Sequence, residues 1–338
     1  AKIDFKPTLG VNLTFGASHD FEDDDFHQQG YSLLNWDNMP HYLTTTQRLF
    51  GRITQKFGSQ DDGKESSSLV KNAFYSINFD YNKYAYDLEH KNHGSNLFNY
   101  GYVGRFQTYQ DKFFIDSLVN GDPQQAIAVH VANFDTLYTF EPSNINPDLS
   151  AYTSAYYDLY ESNVGSITNQ YLLQGLGLRN GDQPSRVYSL WDNFGDIYGA
   201  YRKYDTRQFS VKAEAAADIG DHEISFGFEY QKRKFNYFYC AAPALWNRMR
   251  ALTNTHILEL DTVANYTYVN QITGETMTSQ IDPWNIGSEW TFQDTITFDR
   301  MFVGDAQSYF DLMLRNKVGA GQLEFIDVDS YDPSIFSL

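Results

Sequence analysis

The 338-residue sequence predicts an all-β protein, an antiparallel transmembrane β-barrel with long loops at one end, and three observations lead there. The first is alternation of apolar and polar residues at period two, over runs long enough for a tilted strand to cross a bilayer in about 9 to 11 residues. The second is an aromatic content of 17%, with 26 Tyr and 26 Phe interleaved with Asn, Gln, Ser and Asp. A water-soluble domain buries that many rings in one continuous core, whereas here the polar partners of the rings also need a place, and mean hydropathy is −0.51. The third is that short connectors alternate with very long ones, as when the two ends of a barrel face different compartments.

The elements follow in chain order. Ile3, Phe5, Pro7, Leu9, Val11, Leu13 and Phe15 fall on odd positions with mostly polar residues between them, so one strand is expected over 2–16. Pro7 cannot donate to a ladder and marks an edge, a strand start or a bulge. A loop over 17–44 is acidic at FEDDDF and aromatic at YSLLNWDNMPHY. The returning strand, 46–57, sets Leu49, Ile53 and Phe57 against Arg48, Arg52 and Lys56. After a turn-rich connector over 58–68, Ala73, Tyr75, Ile77, Phe79 and Tyr81 alternate with polar residues in a strand over 69–83. Weaker alternation places strands near 97–109 and 126–140, before a long loop over 141–204.

The clearest unit is a hairpin. Phe209 and Val211 open an apolar face over 207–218, a tight turn occupies 220–222, and Ile224, Phe226, Phe228 and Tyr230 continue that face over 222–235. Phe209, Val211, Ile224, Phe226, Phe228 and Tyr230 are therefore expected to meet lipid, while Lys212, Glu214, Glu223 and Glu229 line a lumen. A last long loop covers 236–338, with a short helical pattern over 305–316. Strand parity puts 58–68 and 220–222 on one side, and 17–44, 141–204 and 236–338 on the other.

Charge and motif content exclude several functions. With 43 acidic against 25 basic residues, a net charge of −18 argues against nucleic acid, whose phosphates are bound by Lys and Arg. The lone Cys240 excludes an internal disulfide and a cysteine zinc site. No apolar run reaches the roughly 18 to 20 residues of a transmembrane helix. GLGLRNG over 175–181 lacks phosphate-loop spacing and reads as a loop. His19, His27 and His41 lie near Asp23, Asp24 and Asp25, the candidate metal ligands, but the spacing lacks the oxygen pattern of a calcium loop and reads as a solvated acidic segment. No nucleophile and base pair stands out, so neither an enzyme nor a cofactor is expected. Loop aromatics such as AYTSAYYDLY either stack on sugars or peptides or pack the loops together.

The segments QFSVKAEAAADIGDHEISFGFEYQKRKF, IDFKPTLGVNLTFGASHDF and FIDVDSYDPSIFSL resemble the barrel region of TonB-dependent receptors of the Bacteroidota, in the Oar-like branch that begins with a carboxypeptidase-regulatory-like domain. The resemblance implies an outer-membrane barrel of about 22 strands closed by a plug. It also implies energy-coupled uptake of a bulky nutrient (peptide, glycan or metal chelate), with the TonB complex as partner through an N-terminal region. A surface lipoprotein or other outer-membrane proteins are further partners it suggests. No plug, TonB box or carboxypeptidase-regulatory-like domain is visible, and about seven strands leave two open edges, so an internal piece of a longer chain is expected, with Ala1 as a truncation. A passive barrel or an adhesin without energy coupling is the alternative. Lys232 and Lys234 share the parity of Phe228 and Tyr230 just beyond the apolar run, whereas Arg233 points toward the lumen. In such a membrane these two lysines either contact lipopolysaccharide phosphates or snorkel into water.

Overall fold

The computed structural model describes residues 1–57, 70–118, 126–164, 178–186, 190–258, 265–269, 276–280, 295–296 and 301–337. They form two compact units, Ala1–Ser95 with Tyr198–Ala241, and Asn96–Ile197 with Ala242–Leu338. The fold is mostly antiparallel β-sheet, and no helix among the described residues is long and apolar enough to cross a membrane.

The first unit is one six-stranded antiparallel sheet. Its strands are β1 (Lys2–Thr8), β2 (Val11–Asp25), β3 (Pro40–Lys56), β4 (Val70–His90), β7 (Ala200–Ile219) and β8 (His222–Ala241), paired in that order. Register is continuous across the sheet: Phe15 pairs with Gly51, Gly51 with Phe79, Phe79 with Val211 and Val211 with Tyr230. Because directly paired residues share a face, the apolar sets of all these strands align on one side. The tight turns after β1 and β7, and the β3 and β4 ends flanking 58–69, lie at one end of the sheet. The connections after β2, β4 and β8 leave from the other, here called the upper end. The 58–69 connector itself lies outside the described residues.

The structure corrects several sequence expectations. The strand over 2–16 is a hairpin: Ile3 pairs with Phe15 and Phe5 with Leu13, so both limbs put odd-numbered residues on one face and alternation runs unbroken through the reversal. Gly10 makes the turn at φ +89°, and Pro7 sits where the register shifts between Phe5 and Thr8, the bulge its missing donor requires. The loop over 17–44 contracts to 26–39, because the β2–β3 ladder continues through Glu22–Thr44 to Asp25–His41. Likewise β4 continues beyond 83 to His90, β7 begins at Ala200 inside the 141–204 segment, and β8 runs past 235 to Ala241. These extensions are polar or aromatic on both faces, which hides them from a search for one apolar face.

The strands expected near 97–109 and 126–140 do not enter the large sheet. Residues 97–99 form a 3-10 turn, and β5 (Gly104–Leu118) pairs only with β6 (Ala126–Pro142) as a separate ribbon of the second unit, while β4 pairs directly with β7. The ribbon finds its core elsewhere: Phe106 packs with Val103, Leu149, Tyr157 and Leu178, bringing it against helix α1 (Pro147–Val164). A second cluster joins Tyr102 to Trp246 and Met249 of α2 (Ala244–Leu252), Leu314 of α3 (Tyr309–Val318), Ile326, Val328 and Phe336. The helix expected over 305–316 is a 3-10 turn followed by α3, which Ser308 caps by accepting from the Asp311 amide and Gly319 ends at φ +73°.

Candidate lipid-facing surface and upper rim

Burial on the large sheet runs opposite to that of a soluble sheet. On the apolar face Ile3, Phe15, Leu49, Phe79, Phe209, Phe226 and Phe228 are exposed, Phe226 by 73% and Phe228 by 63%. On the other face the small polar residues Thr14, Ser76 and Ser210 are buried between longer polar neighbours. One cross-strand row there is paired across all six strands. The Thr14 hydroxyl donates to Asp4 at 2.6 Å, Arg52 Nε donates to Asn78 at 2.5 Å, and Lys212 meets Glu229 at 3.3 Å. Polar groups of this row thus pair with each other on one face, though Asn12 and Asn82 on that face each bury an amide oxygen without a hydrogen bond, while rings and aliphatic chains stand uncovered on the other. A groove of about 520 Å³ on the uncovered face is lined by Ile3, Phe15, Leu49, Phe79 and Phe209.

The residues expected to meet lipid occupy that face together: Val211 pairs with Tyr230, Ala215 with Phe226 and Ala217 with Ile224, while Phe209 and Phe228 fall in the same set. Glu214, Glu223 and Glu229 fall on the opposite face with Lys212. Lys232 pairs with Phe209 and Lys234 with Arg207, on the apolar side at its upper margin. Arg233 lies on the polar side and donates to Gln208 at 2.9 Å.

Two groups at the upper rim escape the sequence pattern. On the polar face Tyr86 lies 6.2 Å from Tyr42 and 5.8 Å from Tyr204, whose ring is 4.8 Å from Tyr237, and the Arg202 guanidinium covers Tyr239. These rings continue period two, but on the side that is polar lower down, so they read as the end of each strand. On the apolar side His41, almost fully buried, sits between two carboxylates, Nε2 3.0 Å from Asp23 and Nδ1 2.8 Å from Asp25. Asp24 points to the opposite face, since it pairs with Tyr42 and not with His41. The three aspartates are therefore divided by the strand's own alternation, and no group of three metal-ligating side chains exists among the described residues. Instead of a solvated loop, the acidic segment is a strand end closed on a histidine. His27 stands apart, edge-on to Trp36 at 6.3 Å.

The second unit is fixed by two buried ionic networks. Arg250 donates to Asp329 at 2.6 and 2.7 Å and to the Asn180 carbonyl, while Asn180 donates to Asp329 and to the Gly104 carbonyl. The described end of the GLGLRNG stretch, 178–181, is thus a tether, and 175–177 lie outside the described residues. Arg315 donates to Asp311 at 2.7 Å, to Asn254 and to the Gly321 and Glu324 carbonyls. Burial pushes the Asp311 carboxyl up, but the hydrogen bonds from Arg315, the Asn254 amide and Gln307 outweigh it and hold it below the ordinary carboxylate range. His256 Nε2 meets the Gln322 carbonyl at 2.9 Å, and Nδ1 lies 3.4 Å from Asp311 without a hydrogen bond. Burial pushes Asp196 up to about 6, aided by Asp192 and opposed by Arg186. A cleft of about 470 Å³ opens between Arg105 and Glu141 on one side and Glu324, Phe325, Asp327 and Tyr331 on the other. Three carboxylates, one guanidinium and two rings suit a polar or cationic ligand with a flat face.

No protein-family model, no curated protein and no solved structure matches this chain.

Proposed function

We propose that this chain is part of an outer-membrane β-barrel that acts as a TonB-dependent receptor, taking up a bulky nutrient by energy-coupled import. The observation that carries the membrane part is the inverted sheet, with rings exposed on one face and paired polar groups on the other. Water would drive those rings together, whereas lipid costs them nothing. From the Ala217–Ile224 row to the Phe209–Lys232 row the apolar face runs about 27 Å along the strands, or about 20 Å along the normal at a tilt of about 40°, close to the apolar band of outer-membrane barrels. Strands of 15 to 21 residues in β2, β3, β4, β7 and β8 outlast that crossing, and their ends project as a rim. β1 and β8 each have one unpaired side among the described residues, so a membrane barrel needs further strands to close.

Receptor activity rests on the resemblance of the strand and loop segments, supported by the connections of the sheet. Both stretches of chain that build the second unit connect to strand ends on the same side of the sheet, where a receptor carries its long ligand-recognising loops. The aromatic row on the lumen side and the polar cleft of the second unit suit a peptide or glycan. Energy coupling calls for a plug and a TonB box elsewhere in the complete protein. The test is uptake by cells carrying the complete gene, with and without a working TonB system. The receptor reading expects accumulation of the nutrient to stop without it. Unchanged uptake would favour the passive barrel, and correct membrane insertion with no uptake at all would favour an adhesin.

A further inference from the structure

The apolar face ends in a line of cations that spans three strands. Lys83 of β4 pairs with Arg207 of β7, and Arg207 with Lys234 of β8, so the three stand side by side across the sheet. Lys232 stands two residues lower on β8, opposite Phe209. Neighbouring strands lie about 4.8 Å apart and alternate residues about 6.8 Å apart, so the four charges fall within a patch about 10 Å across. All four share the face of Tyr81, Phe209, Phe228 and Tyr230.

The local charge is unusual for a chain of net charge −18. Among the described residues Arg207 is held by Asp205 at 2.9 and 3.0 Å, whereas Lys83, Lys232 and Lys234 have no carboxylate within ion-pairing distance. Four cations against the one carboxylate of Asp205 leave a patch of +3. Of the carboxylates higher on the same face, Asp23 and Asp25 are engaged with His41 and Asp87 with Lys203, and Glu89 stands beside His41.

We infer that Lys83, Arg207, Lys232 and Lys234 form a binding site for the phosphate groups of lipopolysaccharide in the outer leaflet, a reading that rests on the membrane assignment above. Exposed rings immediately below the patch take the acyl chains, and the cations meet the phosphorylated sugar where hydrocarbon gives way to headgroup. Charge complementarity selects a multiply anionic lipid over a zwitterionic one, since three ammonium groups outside any ion pair, gathered around Arg207, match several phosphate charges. Arg207, held by two hydrogen bonds to Asp205, presents its guanidinium in one orientation beside the three lysines.

The experiment uses the complete protein extracted from outer membranes. A variant carrying Lys83→Gln, Lys232→Gln and Lys234→Gln is expected to retain at least five-fold less lipopolysaccharide per folded barrel than wild type. A control carrying Lys212→Gln and Arg233→Gln on the polar face is expected to retain the wild-type amount. Equal retention in the triple variant, or an equal loss in the control, overturns the inference. Delipidated wild type supplies a measurement independent of any variant's folding. It is expected to rebind intact lipopolysaccharide at least ten-fold more tightly than the dephosphorylated lipid, and equal affinity also overturns the site. Wild type recovered outside the outer membrane would overturn the membrane assignment and this inference together.

Discussion

Arg315 is almost wholly buried, and its charge is tolerable only because Asp311 and a ring of oxygens surround it. Asp311→Ala removes the only carboxylate it donates to among the described residues and should cost about 3 to 5 kcal/mol, the usual penalty for stranding one member of a buried pair. Hydrogen exchange in the complete protein is the readout: amides of α2 and α3 should lose protection while β2, β3 and β4 keep theirs. Undiminished protection in α2 and α3 would mean that the network is not what holds these helices. At this scale the sequence told only part of the story. The alternation of Asp23, Asp24 and Asp25 along a strand already divides them between two faces, yet FEDDDF looks like loop because no apolar residue marks the face. Asn180 and Asp329 lie far apart in the chain, and nothing local announces that they bond.

The hairpin of β7 and β8 shows what period two can and cannot reveal. Its faces were legible because Phe226, Phe228 and Tyr230 alternate with polar residues, and β8 has little covering either side, so local pattern alone fixes its polarity. β5 and β6 are less legible, since their partner is a helix close in sequence and not the large sheet. The reversal at Gly10 was invisible because the bulge between Phe5 and Thr8 keeps odd-numbered residues on one face in both limbs. Arginine scanning tests the polarity assignment: Phe228→Arg, at the middle of the apolar band, should cost about 2 to 4 kcal/mol of barrel stability. Gly227→Arg, on the opposite face with open space around its Cβ and Glu214 directly across the ladder, should cost far less. Denaturant titration of folded barrel in lipid vesicles would separate the two, and equal losses would contradict the assignment.

Across the molecule, strand order and register define a six-stranded sheet with one apolar and one polar face, and a second unit built from residues 96–197 and 242–338. Composition anticipated the sheet, because rings interleaved with polar residues cannot share one core. It could not anticipate that residues 96–197 and 242–338 fold together, because that unit's core is assembled from side chains scattered over both stretches. Contact of the apolar face with lipid is open to direct measurement. With Cys240→Ser as background, nitroxide labels placed singly at Phe79 and Asn78 of the complete protein in outer membranes report collisions with oxygen and with a water-soluble nickel complex. A lipid-facing Phe79 sits in an oxygen-rich, nickel-poor environment, and Asn78 in the reverse. Nickel collisions at Phe79 as frequent as those at Asn78 would contradict it.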